Sequence, residues 1–196
     1  MSKKINYIMM MFKMNFIYLF LLSMSLSATY KQPQYELIKQ EGKIQIRQYS
    51  EYVIAKTSFK QGDMEENNNM FRTLAGYIFG GNADNKSIPM TAPVITQNNG
   101  SDYEMIFFML DANSPDQLPN PNNPNIVLEN MNLGKSVTIT FGMWATESRV
   151  EYYKELLDEY ILKNNLKIDS ELMVAQYNSP WAIPPFRKNE LLYKIK

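Results

Sequence analysis

The order of hydrophobic periods in this chain repeats once, and that repeat is the strongest constraint on its fold. Segments that alternate apolar and polar residues give way to a helical period and then return to alternation. After a loop rich in proline and asparagine, the same succession follows again. In the first copy, residues 35–38 and 44–49 alternate as half-buried strands do, Gly42-Lys43 is the turn between them, and 53–59 continues the second. Over 63–79 the period lengthens. Met70, Phe71, Leu74, Tyr77 and Ile78 stand at i, i+1, i+4, i+7 and i+8, one wide apolar face of a helix. Gly80-Gly81-Asn82 ends it, because glycine tolerates the left-handed conformation past a helix terminus. Strands are expected at 88–96 and 103–110. The first of these should be an edge or bulged strand, since Pro89 and Pro93 cannot donate to a ladder.

Residues 111–125 are expected as an exposed loop, and the second copy follows it. Strands at 126–130 and 136–144 precede a helix over 148–164 whose stripe is Val150, Tyr153, Leu157, Tyr160 and Ile161, with Ser148 and Glu151 as a capping box. Strands at 172–177 and 191–195 close the chain. The fold class this predicts is α+β: two pseudo-symmetric ββαββ halves, without obvious sequence identity between them. They should form an antiparallel, barrel-like sheet carrying two helices, with a cleft between helix and sheet. The runs Asn67-Asn68-Asn69, Asn98-Asn99 and the asparagines of 120–125 read as compositional bias rather than function.

The chain of 196 residues contains no histidine and no cysteine. Those side chains supply most catalytic bases, thiol nucleophiles, structural zinc sites and haem axial ligands. Their absence leaves carboxylates, Tyr, Met, Lys, Arg and shape, which favours a binding pocket over an active site. No catalytic residues and no metal ligands are therefore assigned. Lys3, Lys4 and Lys13, the apolar run 16–26 and the small residues Ser25 and Ser27 read as a signal peptide over 1–27, leaving a single domain over 28–196. That run is too short to cross a bilayer, for which about 20 apolar residues are needed; the alternative is an uncleaved anchor reaching back through Ile5. The expected location is periplasmic or secreted. Removing the leader takes three lysines and no acid from a chain with 20 basic and 20 acidic residues, so the mature charge is −3. Such a balance argues against a nucleic-acid partner. A monomer is expected.

Three blocks carry a resemblance: Phe71-Arg72-Thr73-Leu74-Ala75-Gly76-Tyr77-Ile78-Phe79-Gly80-Gly81-Asn82, Ile88-Pro89-Met90-Thr91-Ala92-Pro93-Val94, and Tyr177-Asn178-Ser179-Pro180-Trp181-Ala182-Ile183-Pro184-Pro185-Phe186-Arg187-Lys188-Asn189-Glu190. In order and spacing they resemble the SOUL, or haem-binding protein, family from about Tyr35 onward. The resemblance implies one domain of two pseudo-symmetric halves, similar in fold to the effector-binding domains of bacterial multidrug-sensing regulators. It also implies binding of haem or another tetrapyrrole, in some members through an axial His and in others through an apolar surface on the first helix. Without histidine only the second mode is open, with Tyr or Met as the remaining protein ligands.

A porphyrin offers a flat apolar face, worth roughly 25 cal/mol per Å² on burial, and two carboxylates that want a cation at the pocket mouth. The expected contact residues are Met70, Phe71, Leu74, Tyr77 and Ile78 with Arg72 beside them, and Met90 and Arg47 facing the same cleft. The plain alternative is that the apolar stripe packs the helix on the sheet. Two other functions stay open: a binder or sensor of other apolar molecules, and a small-molecule hydrolase or isomerase using a buried Glu104 of raised pKa with a Tyr. The segment 180–187 reads as a rigid corner, with Trp181 and Phe186 closing one end of the core, or as a polyproline ligand.

Overall fold

Strands β1 (Tyr35–Glu41) and β2 (Ile44–Tyr49) form a hairpin closed at Gly42, whose φ of 58° lies in the left-handed region that a side chain would strain. The computed structural model describes residues 30–60, 67–100, 102–179 and 181–196. The expected leader over 1–27 and the first turn of the helix expected from residue 63 lie outside them. Next come β3 (Glu51–Lys60), α1 (Asn67–Ile78), β4 (Val94–Asn99) and β5 (Asp102–Phe108). The second half is β6 (Val127–Asn132), β7 (Lys135–Phe141), α2 (Glu147–Lys163), β8 (Met173–Gln176) and β9 (Asn189–Lys194).

The nine strands form one sheet in the order β1-β2-β7-β9-β8-β4-β5-β3-β6, every neighbouring pair antiparallel, curled into a half-barrel. The expected α+β class is observed, and its two ββαββ halves are β2-β3-α1-β4-β5 and β6-β7-α2-β8-β9. Strand β1 is an additional edge strand, and residues 44–59, expected as one continuous strand, are two that do not pair. The halves meet where β4 pairs β8, Ile95 opposite Ala175. Moving outward from that line, β5, β3 and β6 on one side correspond to β9, β7 and β2 on the other. Each half thus lends its leading strand to its counterpart: β2 pairs β7 instead of β3, and β6 pairs β3 instead of β7.

Both faces of the sheet are buried in its middle, so β5 reads as an almost continuous apolar run. On one face, Val53 and Ala55 of β3 and Met105 and Phe107 of β5 pack against Met70, Leu74, Tyr77 and Ile78 of α1. The matching residues of the other half, Val137, Ile139, Leu191 and Tyr193, pack against Leu157, Tyr160 and Ile161 of α2. Ile54, Ile95, Ile106, Phe108, Ala175 and Leu192 fill the opposite face.

Three local expectations are corrected. The strand expected over 88–96 begins only at Val94, because its prolines remove donors and the stretch 88–93 instead makes one isolated bridge, Thr91 with Lys31. The strand expected over 136–144 stops at Phe141, where Met143 turns to a φ of 70°. No capping box forms on α2. Its N-cap is Thr146, whose carbonyl accepts from the Arg149 and Val150 amides.

Candidate functional site

Helix α1 presents two stripes. Met70, Leu74, Tyr77 and Ile78 are each 3% exposed or less and lie against the sheet. Burying side chains of this size is worth about 1.5–3 kcal/mol each, so the stripe is committed to holding α1 in place. Rotated away from it on the same helix, Arg72, Thr73 and Gly76 form a flank that reaches Tyr77 at the edge of the core, and this flank is one wall of an open groove of about 570 Å³. The facing wall is Asn122, Asn123, Pro124 and Ile126, from the loop that leads into β6, and Gly81 lies between the walls.

The end of α1 shapes the floor. Gly80, at a φ of 105°, donates to the Tyr77 carbonyl at 3.3 Å, and the Gly81 amide donates to the Gly76 carbonyl at 2.8 Å. This pair of bonds is the Schellman arrangement, which satisfies the last carbonyls of a helix. A Cβ on Gly81 would stand 2.6 Å from the Gly76 oxygen, so glycine is required there by contact. Buried Asn82 holds the chain beyond: its Nδ2 donates to the Tyr77 and Lys86 carbonyls and its Oδ1 accepts from the Lys86 amide. The facing loop is tied to the same corner. The Ala83 amide donates to the Asn120 carbonyl, the Asn122 amide to the Gly81 carbonyl, and the Tyr77 hydroxyl to the Pro119 carbonyl at 2.9 Å. Both walls are therefore fixed before any ligand arrives.

Chemically, the groove combines a backbone floor, the ring of Tyr77, Pro124 and Ile126 with one exposed guanidinium, a threonine hydroxyl and two side-chain amides. Such a surface suits a flat apolar body carrying acidic groups. Burial pushes the Tyr77 hydroxyl up to about 12, and its proton is already given to Pro119.

Of the residues expected at the site, Arg72 and Tyr77 line the groove. Phe71, about one-third exposed, sits edge-on to Phe107 at 5.6 Å, and half-buried Met90 packs against the α1 core. Arg47 is elsewhere, which corrects the expectation that it faces the α1 cleft. It is 2% exposed on the opposite face of the sheet and binds Glu190 through two nitrogens, at 2.9 and 2.8 Å. Tyr49 Oη accepts from Arg47, and the Tyr177 hydroxyl donates to Glu190 at 2.6 Å. Burial by itself would raise the Glu190 carboxyl, but Arg47, Lys188 and Tyr177 outweigh it and hold the group down to about 2. Thr73, Gly76, Gly81, Asn122 and Asn123 also belong to the groove, although their local sequence does not mark them as lining a site. The asparagines were set aside as composition, and the one available signal was a glycine inside a helical period.

Glu104 is buried as expected, but its pKa is shifted the other way. Burial raises it, while hydrogen bonds from Gln97 at 2.7 Å and Asn99 and the charge of Lys56 at 3.5 Å together lower it. A carboxylate held in its ionised form by three donors is a poor proton donor, which removes the support for the acid–base reading. The corner at 180–187 also differs from expectation. Trp181 is 91% exposed and Phe186 is 60% exposed, so neither closes the core. The loop is pinned by Arg187, which stacks on Trp144 at 3.4 Å and donates from Nε to the Ala182 carbonyl.

The model of the SOUL heme-binding protein family matches residues 30–194. The chain belongs to the SOUL family. No curated protein sequence matches it. The C-terminal domain of EcmrR superposes with a TM-score of 0.60 at 10% identity, covering 83% of this chain and 98% of that one. A hydrolase from Listeria innocua superposes with a TM-score of 0.57 at 10% identity, covering 81% and 94%. These likenesses establish a shared fold. Within the SOUL family this chain has no imidazole to offer an iron, and its nearest substitutes point elsewhere: Met70 is buried in the core, Met90 packs against it and Tyr77 is hydrogen-bonded to Pro119. Among the described residues no cluster of three or more acids could hold a metal ion either. Among the residues that line the groove, Tyr77 is the one of a type that ligates haem iron, and its hydroxyl is bonded to Pro119.

Proposed function

We propose that this SOUL protein binds haem or a related tetrapyrrole non-covalently in the groove between the Arg72–Gly76 flank of α1 and the loop 122–126. The observation that carries this reading is an open groove of about 570 Å³ on the first helix, in the size range of small-molecule sites. Tyr77, Pro124 and Ile126 give the groove apolar surface, and Arg72 supplies the cation that a propionate would need. Affinity comes from surface burial and the Arg72 contact, not from iron, so hemin and metal-free protoporphyrin IX should bind alike. With residues 1–27 read as a signal peptide, the protein works outside the cytoplasm as a monomeric carrier or sensor of the ligand. Titration of purified protein with hemin tests the proposal. A Soret shift saturating near one equivalent is expected, and unsaturable uptake would overturn it.

A further inference from the structure

We propose that Gly76 is the residue that fits this groove to flat ligands, because its missing side chain lets a planar face lie directly on the helix backbone. The inference rests on the groove being the ligand site.

Glycine within a helix is destabilising relative to alanine, so it persists where something else requires it. The usual requirements are absent here. Gly76 does not have a left-handed φ, and a Cβ built on it meets no atom within 4 Å. Gly81 is different, since its Cβ would collide with the Gly76 carbonyl at 2.6 Å. The two residues occupy the C3 and C″ positions of the helix-ending motif, where apolar side chains ordinarily touch each other and cover the cap. Here both positions are bare, and both line the groove. The fold explains the bareness of Gly81 and leaves that of Gly76 unexplained. The groove explains it: open space above Gly76 is space for a ligand, and a methyl there would hold a planar face away from the peptide groups while leaving the rim untouched.

The test is Gly76→Ala, read in two assays that should move in opposite directions. Without ligand, its unfolding midpoint should rise by about 2–4 °C, as a helix-favouring change does in a domain of this size. Hemin and protoporphyrin IX should each bind at least tenfold more weakly. Glu155→Ala, on the exposed face of α2 and outside the groove, should bind both normally. Unchanged porphyrin affinity in Gly76→Ala overturns the inference while leaving the groove as the ligand site. A lowered midpoint or failure to fold also overturns it, since glycine would then be structurally required. Failure of the unaltered protein to saturate with hemin removes the reading of the groove, and this inference with it.

Discussion

Arg47 and Glu190 are 143 positions apart in the chain and meet as a two-pronged ion pair, both side chains at most 2% exposed. Removing one partner strands a charge in the sheet interior, which typically costs 3–5 kcal/mol. Arg47→Ala should therefore lose about that much stability in urea unfolding. Replacing both residues, as Arg47→Met with Glu190→Leu, should recover most of the loss, because the penalty lies in the orphaned charge.

The same carboxylate makes stability depend on acid. Its folded pKa, about 2, lies below the usual carboxylate value of 4.5, so the folded state prefers it ionised. The contribution is fully present above about pH 4.5 and fades as pH falls toward 2. Glu104 is shifted in the same direction and adds to the trend. Urea midpoints should therefore drop between pH 5 and 3. Glu190→Gln should be less stable throughout and show a flatter acid limb; an equally steep limb would exclude Glu190 as its source.

Arg72 is the cation of the groove. Arg72→Ala should weaken hemin about tenfold, equivalent to about 1.4 kcal/mol, as expected for an exposed charge-assisted contact. Protoporphyrin IX dimethyl ester, lacking the carboxylates, should bind the variant and the parent equally.

Tyr77→Phe separates coordination from packing. The hydroxyl serves the Pro119 carbonyl, so its loss should cost about 1–3 kcal/mol in unfolding by leaving a buried acceptor unpaired. The absorption spectrum of the hemin complex should not move; a displaced Soret band would mean that the phenol reaches iron.

Gly81→Ala should be destabilising by about 1–3 kcal/mol, because its methyl and the Gly76 oxygen cannot share the space. Thermal unfolding without ligand is sufficient to read this.

What the sequence made legible is what local periodicity encodes. The spacing of Met70, Leu74, Tyr77 and Ile78 located both α1 and its buried face, and alternation located most of the strands. What stayed hidden depends on distant pieces of chain. The groove exists because the loop at 122–126 returns to the flank of α1 some fifty residues after Thr73, so no window around α1 reveals it. Arg47 was expected at the cleft because its partner, Glu190, lies on the last strand. Trp181 was expected to close one end of the core from its place in a stiff loop just before the last strand, whereas the buried member of that corner is Arg187, whose planar head can stack and donate at once.

The pairing of β2 with β7 and of β6 with β3 makes this molecule an intramolecular domain swap. A cut in the proline-rich loop would yield two fragments, each with a sheet edge only the other can complete. Neither could fold to its final form alone, and mixing them should restore the whole. Mutual dependence of this kind holds the two lobes to one frame while leaving their helix flanks free to differ. One lobe can therefore carry the groove without its counterpart having to match it.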